Sequence, residues 1–379
     1  MLLAVLVYRS ADVQVVRGDT YRSIGASQRA SILKTRAGRG SIFDRDGNEM
    51  AITVPAQSLY ANPQAIADPA ATAKVLGQML GLDATAEADL ATKLADKGTT
   101  FVYIQRFVDD ALVTAVMDLQ LAGVDNVTEP KRVQVAGGLA KNVIGRTDPF
   151  GEGAAGLELQ YDKVLSGQDG AIVRETSGGR SVPGTRRVVT QARPGTDLVL
   201  TIDRSMQYQT EQALIERVAE LKARGGNAII MDTRTGEILA ISSVRRNSDG
   251  TVAVTNGNLA SVEAYEPGSV AKVFSIAATI DAGFSNPDRI YEVPGVYEFD
   301  PGTEFAMTIT DAYPHDLLSM SLRDIVVKSS NIGTLMAAGE LGSGRLREYL
   351  SNFGFGRLSA LDFPGESPGV LKEAKEWRG

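Results

Sequence analysis

The sequence predicts an α+β protein: a mostly-β N-terminal part over residues 19–192, then, over 193–379, a part that mixes helices with antiparallel strands. Three observations carry this. At 379 residues, with 43% hydrophobic and 22% charged side chains, the chain is globular in composition and long for one domain. Residues 13–60 and 124–195 show strand and turn patterns with no long helical period. From Asp197 the pattern becomes strand, helix, hairpin.

Taken in order, Asp46-Gly47 is a turn signal following the apolar strand positions at Ile42 and Phe43. Asp68-Pro69 supplies an N-cap and a proline at the first helical position. Val75, Leu76, Met79 and Leu80 give that helix its stripe, and Gly81 stops it. A second amphipathic helix is predicted over roughly 109–121 from Leu112, Val113, Val116, Met117 and Leu119. Residues 124–195, rich in Gly, Arg and Val, read as strands and loops, and Arg193-Pro194-Gly195 marks a boundary. A strand over 197–202 and a helix from about Ser205 follow. Ala213, Leu214, Val218 and Leu221 line one helix face, Glu211, Glu216 and Glu220 the other, and Gly225-Gly226 marks the end. Residues 227–231 and 237–242 flank the turn Thr233-Arg234-Thr235-Gly236, a hairpin pattern.

Composition closes several routes. The net charge of −7 argues against a dedicated nucleic-acid binder. With no cysteine and one histidine, His315, thiol chemistry, disulfides, zinc ribbons and iron–sulfur clusters are excluded, and no cofactor or metal is expected. Lysine, carboxylates and hydroxyls must carry the chemistry. His315, in a loop between Pro314 and Asp316, reads as a surface or loop-packing residue. At the N-terminus, Met1 to Tyr8 is an apolar run of eight, far short of the ~20 residues a spanning helix needs. Residues 1–18 are read as the remnant of a membrane anchor and its juxtamembrane segment, the alternative being a short buried strand or helix end.

The most informative segment is Glu266-Pro267-Gly268-Ser269-Val270-Ala271-Lys272. Pro267-Gly268 breaks the chain, and an almost wholly apolar helix is expected to follow as far as Gly283, apolar all round and therefore buried. Lys272 lies one turn beyond Ser269 on the same face. Burying a lysine is costly unless something uses it. Desolvation and the helix N-terminus favour its neutral form, at a cost on the order of 4 kcal/mol if it is to act as a base near neutral pH. A neutral amine could take the proton of Ser269 Oγ and create a nucleophile, with first-turn amides near a developing oxyanion. S-x-x-K alone is weak: Ser31-Ile32-Leu33-Lys34 is a second instance in a polar stretch. Farther on, Ser321 begins a helix with Asp324 placed for a capping box. That helix runs into Lys328-Ser329-Ser330-Asn331, before a second apolar helix with Ile332, Leu335 and Met336. Beside Ser269 and Lys272 this cluster becomes an S-x-N element. Ser329 Oγ would relay a proton, and Asn331 would orient Lys272 and a substrate amide.

The chain resembles the class B penicillin-binding proteins over nearly its whole length. Arg39-Gly40-Ser41-Ile42-Phe43-Asp44-Arg45-Asp46-Gly47 is similar to the family's R-G-x-I-x-D-R-N-G box, with Asp46 in place of Asn. Gly153-Ala154-Ala155-Gly156-Leu157-Glu158 with Tyr161-Asp162 and Leu165-Ser166-Gly167 is similar to a second box. Leu200-Thr201-Ile202-Asp203, Thr235 to Ala240, Glu266 to Lys272, Ser329-Ser330-Asn331, Phe353-Gly354-Phe355-Gly356 and Pro364-Gly365-Glu366 match in order. The resemblance implies a non-catalytic pedestal and a β-lactamase-like penicillin-binding domain. It also implies a peptidoglycan D,D-transpeptidase with catalytic residues Ser269, Lys272, Ser329 and Asn331, held at the outer side of a bacterial membrane by one N-terminal anchor. Expected partners are D-Ala-D-Ala stem peptides, β-lactams, and a glycosyltransferase and other divisome membrane proteins meeting the pedestal; the compact pedestal suits the septal type.

One departure is plain: no lysine is followed by Ser or Thr and then Gly, so the family's K-[ST]-G motif is absent. Arg234-Thr235-Gly236 precedes the nucleophile and belongs to the hairpin turn. The chain is therefore read as shortened at both ends and, by itself, catalytically incomplete. The alternatives are a non-catalytic divisome scaffold with an inactive transpeptidase domain, or a β-lactam-hydrolysing or β-lactam-sensing serine enzyme.

Overall fold

A computed structural model describes Arg9, Asp12, Arg17 and residues 30–377, except 178–179, 182–183, 186 and 305. The chain divides into two compact units, residues 1–257 and 258–379. The apolar run at 1–8 lies outside the described residues. Among the described residues no helix is long and apolar enough to cross a membrane.

The first unit is built on β-structure. Strand β1 (Ala30–Thr35) is followed by β2 (Ile42–Phe43) and the long β3 (Glu49–Ala61), joined through the Asp46-Gly47 turn, where Gly47 takes φ +82°. Helix α1 (Pro69–Leu80) starts as expected: Asp68 accepts from Ala71 N–H at 3.0 Å, and Gly81 closes the helix at φ +66°. A helix with no counterpart in the sequence reading, α2 (Ala84–Ala95), follows at once, capped by Asp83. Then come β4 (Val102–Val108), α3 (Asp110–Asp118) and β5 (Val124–Gln134). β3 pairs antiparallel with β2, β4 and β5. Helices α1, α2 and α3 cover this sheet through a core of Leu59, Leu76, Leu90, Leu94, Val113, Val116 and Val124. Removing such side chains from water at roughly 25 cal/mol per Å² is the main stabilising term here.

The two boxes noted in the sequence meet in this unit. Short helices α4 (Lys141–Ile144), α5 (Gly156–Gln160) and α6 (Asp162–Leu165) interrupt a stretch expected to hold only strands and loops. α5 carries Glu158, which is 1% exposed. Arg39 Nε donates to Glu158 Oε2 at 2.5 Å, and Arg132 Nε to Glu158 Oε1 at 2.7 Å. Arg39 Nη1 reaches Asp162 Oδ1 at 2.7 Å and Ser166 Oγ at 3.0 Å, and Nη2 reaches the Glu158 carbonyl at 2.6 Å. So a buried carboxylate sits between two guanidinium groups, and its cost of desolvation is met by direct charge-assisted bonds.

Farther along, β6 (Gly170–Ser177) pairs antiparallel with β1 and with β7 (Arg187–Thr190). The strand expected over 197–202 is only β8 (Leu198–Val199), and it joins β2 in parallel, adding to the preceding sheet. Helix α7 (Arg204–Glu220) differs from expectation on its faces. Glu211 is buried and Leu221 is 59% exposed. Glu211 turns inward because its Oε1 accepts from the Ala140 N–H at 2.9 Å and from Gln207 Nε2 at 2.8 Å, which satisfies the buried charge. Gly225-Gly226 does not end the helix; it opens β9 (Gly225–Met231), which pairs with β10 (Ile238–Arg246) across the expected hairpin turn. β11 (Val252–Val254) extends this sheet along β10.

The second unit is mainly helical. Helix α8 (Ala271–Asp281) precedes two small ribbons. In one, β12 (Ile290–Val293) pairs with β15 (Leu318–Ser321); in the other, β13 (Val296–Phe299) pairs with β14 (Met307–Thr310). Then come α9 (Leu322–Lys328), α10 (Asn331–Gly339) and α11 (Ser343–Asn352). Ile276, Tyr291, Val293, Met320, Leu322, Ile325, Ile332 and Ala337 form its core. The expectation that α8 is buried all round is corrected: Val270 is 65% and Val273 58% exposed. Only the face that has neighbours is buried. Ile276 enters the core, and the Phe274 ring meets Phe353 and Phe355 edge-on at 5.1 and 5.0 Å, whereas no described residue covers Val270 and Val273.

Candidate active site

Ser269 stands in a single 3₁₀ turn, Gly268–Val270, that leads directly into α8. Gly268 has φ +59°, a left-handed conformation that only glycine adopts without cost. This explains the Pro267-Gly268 pair: the chain reverses there and delivers Ser269 at the start of the helix. Ser269 is exposed, and its hydroxyl has no hydrogen-bond partner among the described residues.

Lys272 is half-buried, and its ammonium is held from another part of the chain. Nζ donates to Ser329 O at 2.5 Å, Ser329 Oγ at 3.1 Å and Asn331 Oδ1 at 2.6 Å. Three acceptors match the three donors of a protonated lysine. The same geometry serves a neutral amine, with Ser329 Oγ–H donating to its lone pair. Burial pushes the Lys272 pKa below the ordinary lysine value, and the attraction of the Asp311 carboxylate partly opposes this.

Two local devices aim the acceptors. α9 begins with the expected capping box: Asp324 N–H donates to Ser321 Oγ at 3.1 Å, and Ser321 N–H to Asp324 Oδ2 at 3.0 Å. It ends at Ser329, which has φ +54°. A serine in the left-handed region costs on the order of 1–2 kcal/mol, and that strain turns both its carbonyl and its hydroxyl toward Lys272. Ser330, 1% exposed, then caps α10 by accepting from Gly333 N–H at 2.9 Å. Asn331 therefore occupies the first position of α10. Its Nδ2 donates to the Thr310 carbonyl at 2.9 Å, which fixes the amide orientation and leaves Oδ1 for Lys272.

Ser269 and Lys272 thus share one helix start, and Lys272, Ser329 and Asn331 are brought together; the hydrogen bonds of Lys272 Nζ go to Ser329 and Asn331, not to Ser269 Oγ. The other S-x-x-K, Ser31 to Lys34, lies in β1, where a three-residue spacing does not stack side chains as a helix does. Asp311 was not found from the sequence. It accepts from Asn331 N–H at 2.6 Å and Ile332 N–H at 3.1 Å. Lying 20 residues before Asn331, it carries no local signal. Among the described residues no cluster of three or more His, Asp or Glu could hold a metal ion.

Lys272, one turn beyond Ser269, is thus met by an S-x-N corner between two helices, on a chain whose first part is a β-rich unit. Comparison with known proteins gives the family. The penicillin-binding protein dimerisation domain matches residues 34–200, and the penicillin binding protein transpeptidase domain matches residues 226–378. The chain belongs to the class B penicillin-binding proteins. It is 32% identical to penicillin-binding protein PbpB of Mycolicibacterium smegmatis over 415 residues, covering 100% of this chain and 62% of the relative. It is 27% identical to peptidoglycan D,D-transpeptidase FtsI of Escherichia coli over 393 residues, covering 100% of this chain and 64% of the relative. A peptidoglycan synthetase from Bifidobacterium adolescentis superposes with TM-score 0.63 at 29% identity, over 92% of this chain and 68% of that one. The chain spans less than two thirds of the length of the curated relatives named here.

Proposed function

We propose that the protein is a serine D,D-transpeptidase of peptidoglycan synthesis. The observation that carries the reading is the placement of Lys272 Nζ at 3.1 Å from Ser329 Oγ and 2.6 Å from Asn331 Oδ1, one turn from Ser269. In this reading neutral Lys272 takes the proton of Ser269 Oγ, which attacks the penultimate D-Ala carbonyl of a stem peptide. As the tetrahedral adduct collapses, the C–N bond to terminal D-alanine breaks. The proton passes from Lys272, through Ser329 Oγ, to the departing amine. An amine of a neighbouring strand then attacks the acyl ester and frees Ser269. The Ser269 N–H supplies one oxyanion donor, and Asn331 orients the substrate amide. A β-lactam acylates the same serine.

We further propose that residues 19–192 form the pedestal and 193–379 belong to the transpeptidase domain. In the same reading the protein works outside a bacterial membrane on one N-terminal anchor, with divisome membrane proteins, a glycosyltransferase among them, on the pedestal. Since none of the 379 residues supplies K-[ST]-G, the 379-residue chain alone is expected to capture β-lactams slowly or not at all. The test uses the gene product that carries these residues, with a fluorescent penicillin and a D-Ala-D-Ala stem peptide. Stoichiometric, long-lived labelling together with D-alanine release is expected. Rapid turnover of the penicillin adduct would instead make it a hydrolase, and no adduct at all a scaffold.

A further inference from the structure

We propose that His315 is a pH-dependent positioning residue for the Lys272 site, acting through Asp311 on the first turn of α10. The inference rests on the reading of Lys272 as the base. The links are all within one compact unit. His315 Nε2 lies 3.2 Å from Asp311 Oδ2. The other carboxylate oxygen of Asp311 accepts the Asn331 and Ile332 N–H groups at 2.6 and 3.1 Å. Asn331 then meets Lys272 through Oδ1 at 2.6 Å. Asp311 is therefore the hinge between the single histidine and the helix end that aims the carboxamide. It also faces Lys272 as an opposite charge.

What makes the link pH-dependent is that both ring nitrogens of His315 face acceptors. Nδ1 lies 2.5 Å from the Asp316 carbonyl, and Nε2 faces the Asp311 carboxylate. Only the imidazolium, with two N–H groups, satisfies both; a neutral ring of either tautomer forfeits one and turns a lone pair on an oxygen. The side chains of His315 and Asp311 are only 14% and 9% exposed, so the forfeited bond is not simply replaced by water. The His315 loop has little room to relax, since its backbone carbonyl packs directly on Gly295 at a place where a Cβ would clash. Lys328 is the cation that opposes His315 protonation, and Asp311 the anion that favours it.

The directions agree with this geometry. The Asp316 carbonyl raises the His315 pKa, burial lowers it in part, and Asp311 raises it again, for a net rise. Burial pushes Asp311 up, but hydrogen bonds from Ser330, Ile332, His315 and Asn331 more than offset this and hold it below the usual carboxylate range. A raised histidine pKa means that the pair is intact below the ordinary histidine value and is lost as pH rises through the raised one. Deprotonation should then loosen Asp311, release the two α10 amides and widen the Asn331–Lys272 contact.

Since His315 is the only histidine, its imidazole is a single resonance in a labelled 379-residue chain. The Asn331 and Ile332 amide shifts are expected to move with pH at the imidazole's own midpoint, and to stay flat in His315→Gln, which donates one bond and does not titrate. In Asp311→Asn the imidazole midpoint should fall toward that of free histidine. Amides that ignore the imidazole titration, or a midpoint unmoved by Asp311→Asn, would overturn the proposal. In the acylation assay His315→Ala is expected to slow β-lactam capture by about tenfold. His315→Gln should stay within about threefold of the parent and lose that pH response. A His315→Ala protein that acylates like the parent at every pH also sinks it. If the unsubstituted gene product that carries these residues fails to acylate, the transpeptidase reading falls, and the amide titration of the 379-residue chain still decides the link.

Discussion

Ser269→Ala, in the gene product that carries these residues, is expected to abolish covalent capture of benzylpenicillin while leaving the protein folded. Ser269 is exposed and packs against nothing in the core, so its hydroxyl can be deleted at little structural cost. Lys272→Ala is expected to slow capture by about 10²- to 10⁴-fold, the range general-base removal commands. The two variants should differ in kind. Without Ser269 there is no bond to form, whereas without Lys272 the serine survives and reacts slowly, more so at high pH. Lys34→Ala, in the other S-x-x-K, should leave the rate unchanged because it sits in β1. Rates measured by stopped-flow quenching or gel labelling decide this. A Lys272→Ala protein that acylates at the parental rate would remove the base assignment.

The largest stability effect should come from Glu158. Its two carboxylate oxygens accept from Arg39 at 2.5 Å and Arg132 at 2.7 Å, with Arg39 and Glu158 8% and 1% exposed. Glu158→Ala leaves two guanidinium groups facing each other in a space closed to water. Breaking a buried pair in this way costs about 3–5 kcal/mol. That is a large part of a typical domain's stability, so a population of unfolded first unit is expected at moderate denaturant. Glu158→Gln should cost less, since it keeps one acceptor and the shape. Chemical denaturation of the three proteins gives the differences, and a Glu158→Ala cost under about 1 kcal/mol would show that the ion pairs are not needed to hold these segments together.

Much of the fold was legible where a cap, a turn residue and a stripe coincide. Asp68-Pro69 to Gly81, the Asp109 start of α3, the hairpin at Thr233–Gly236 and the Ser321/Asp324 box all form as their residues dictate. Legibility failed where a distant partner decides. Glu211 looks like a surface residue by charge, but the Ala140 amide, 71 residues away in the chain, draws it inward, joined by Gln207 of the same helix. Val270 and Val273 look like core residues by hydropathy, yet exposure depends on what lies opposite, which periodicity does not contain. The candidate site follows the same rule. Ser269 and Lys272 share a helix start and can be read locally. Their junction with Ser329 and Asn331 spans 57 to 59 residues and needed a family pattern to suggest it. Asp311 and His315, with no such pattern, became visible only as contacts.

Mapping the site of penicillin attachment in the gene product tests the central claim most directly. Trypsin releases residues 247–272 as one peptide, ending at Lys272 and containing Ser269. The expected result is a single added penicilloyl mass on this peptide, placed by fragmentation on Ser269 and missing from the Ser269→Ala protein. A label on any other residue, Ser329 included, or an adduct that persists in Ser269→Ala, would contradict the assignment of Ser269 as the nucleophile.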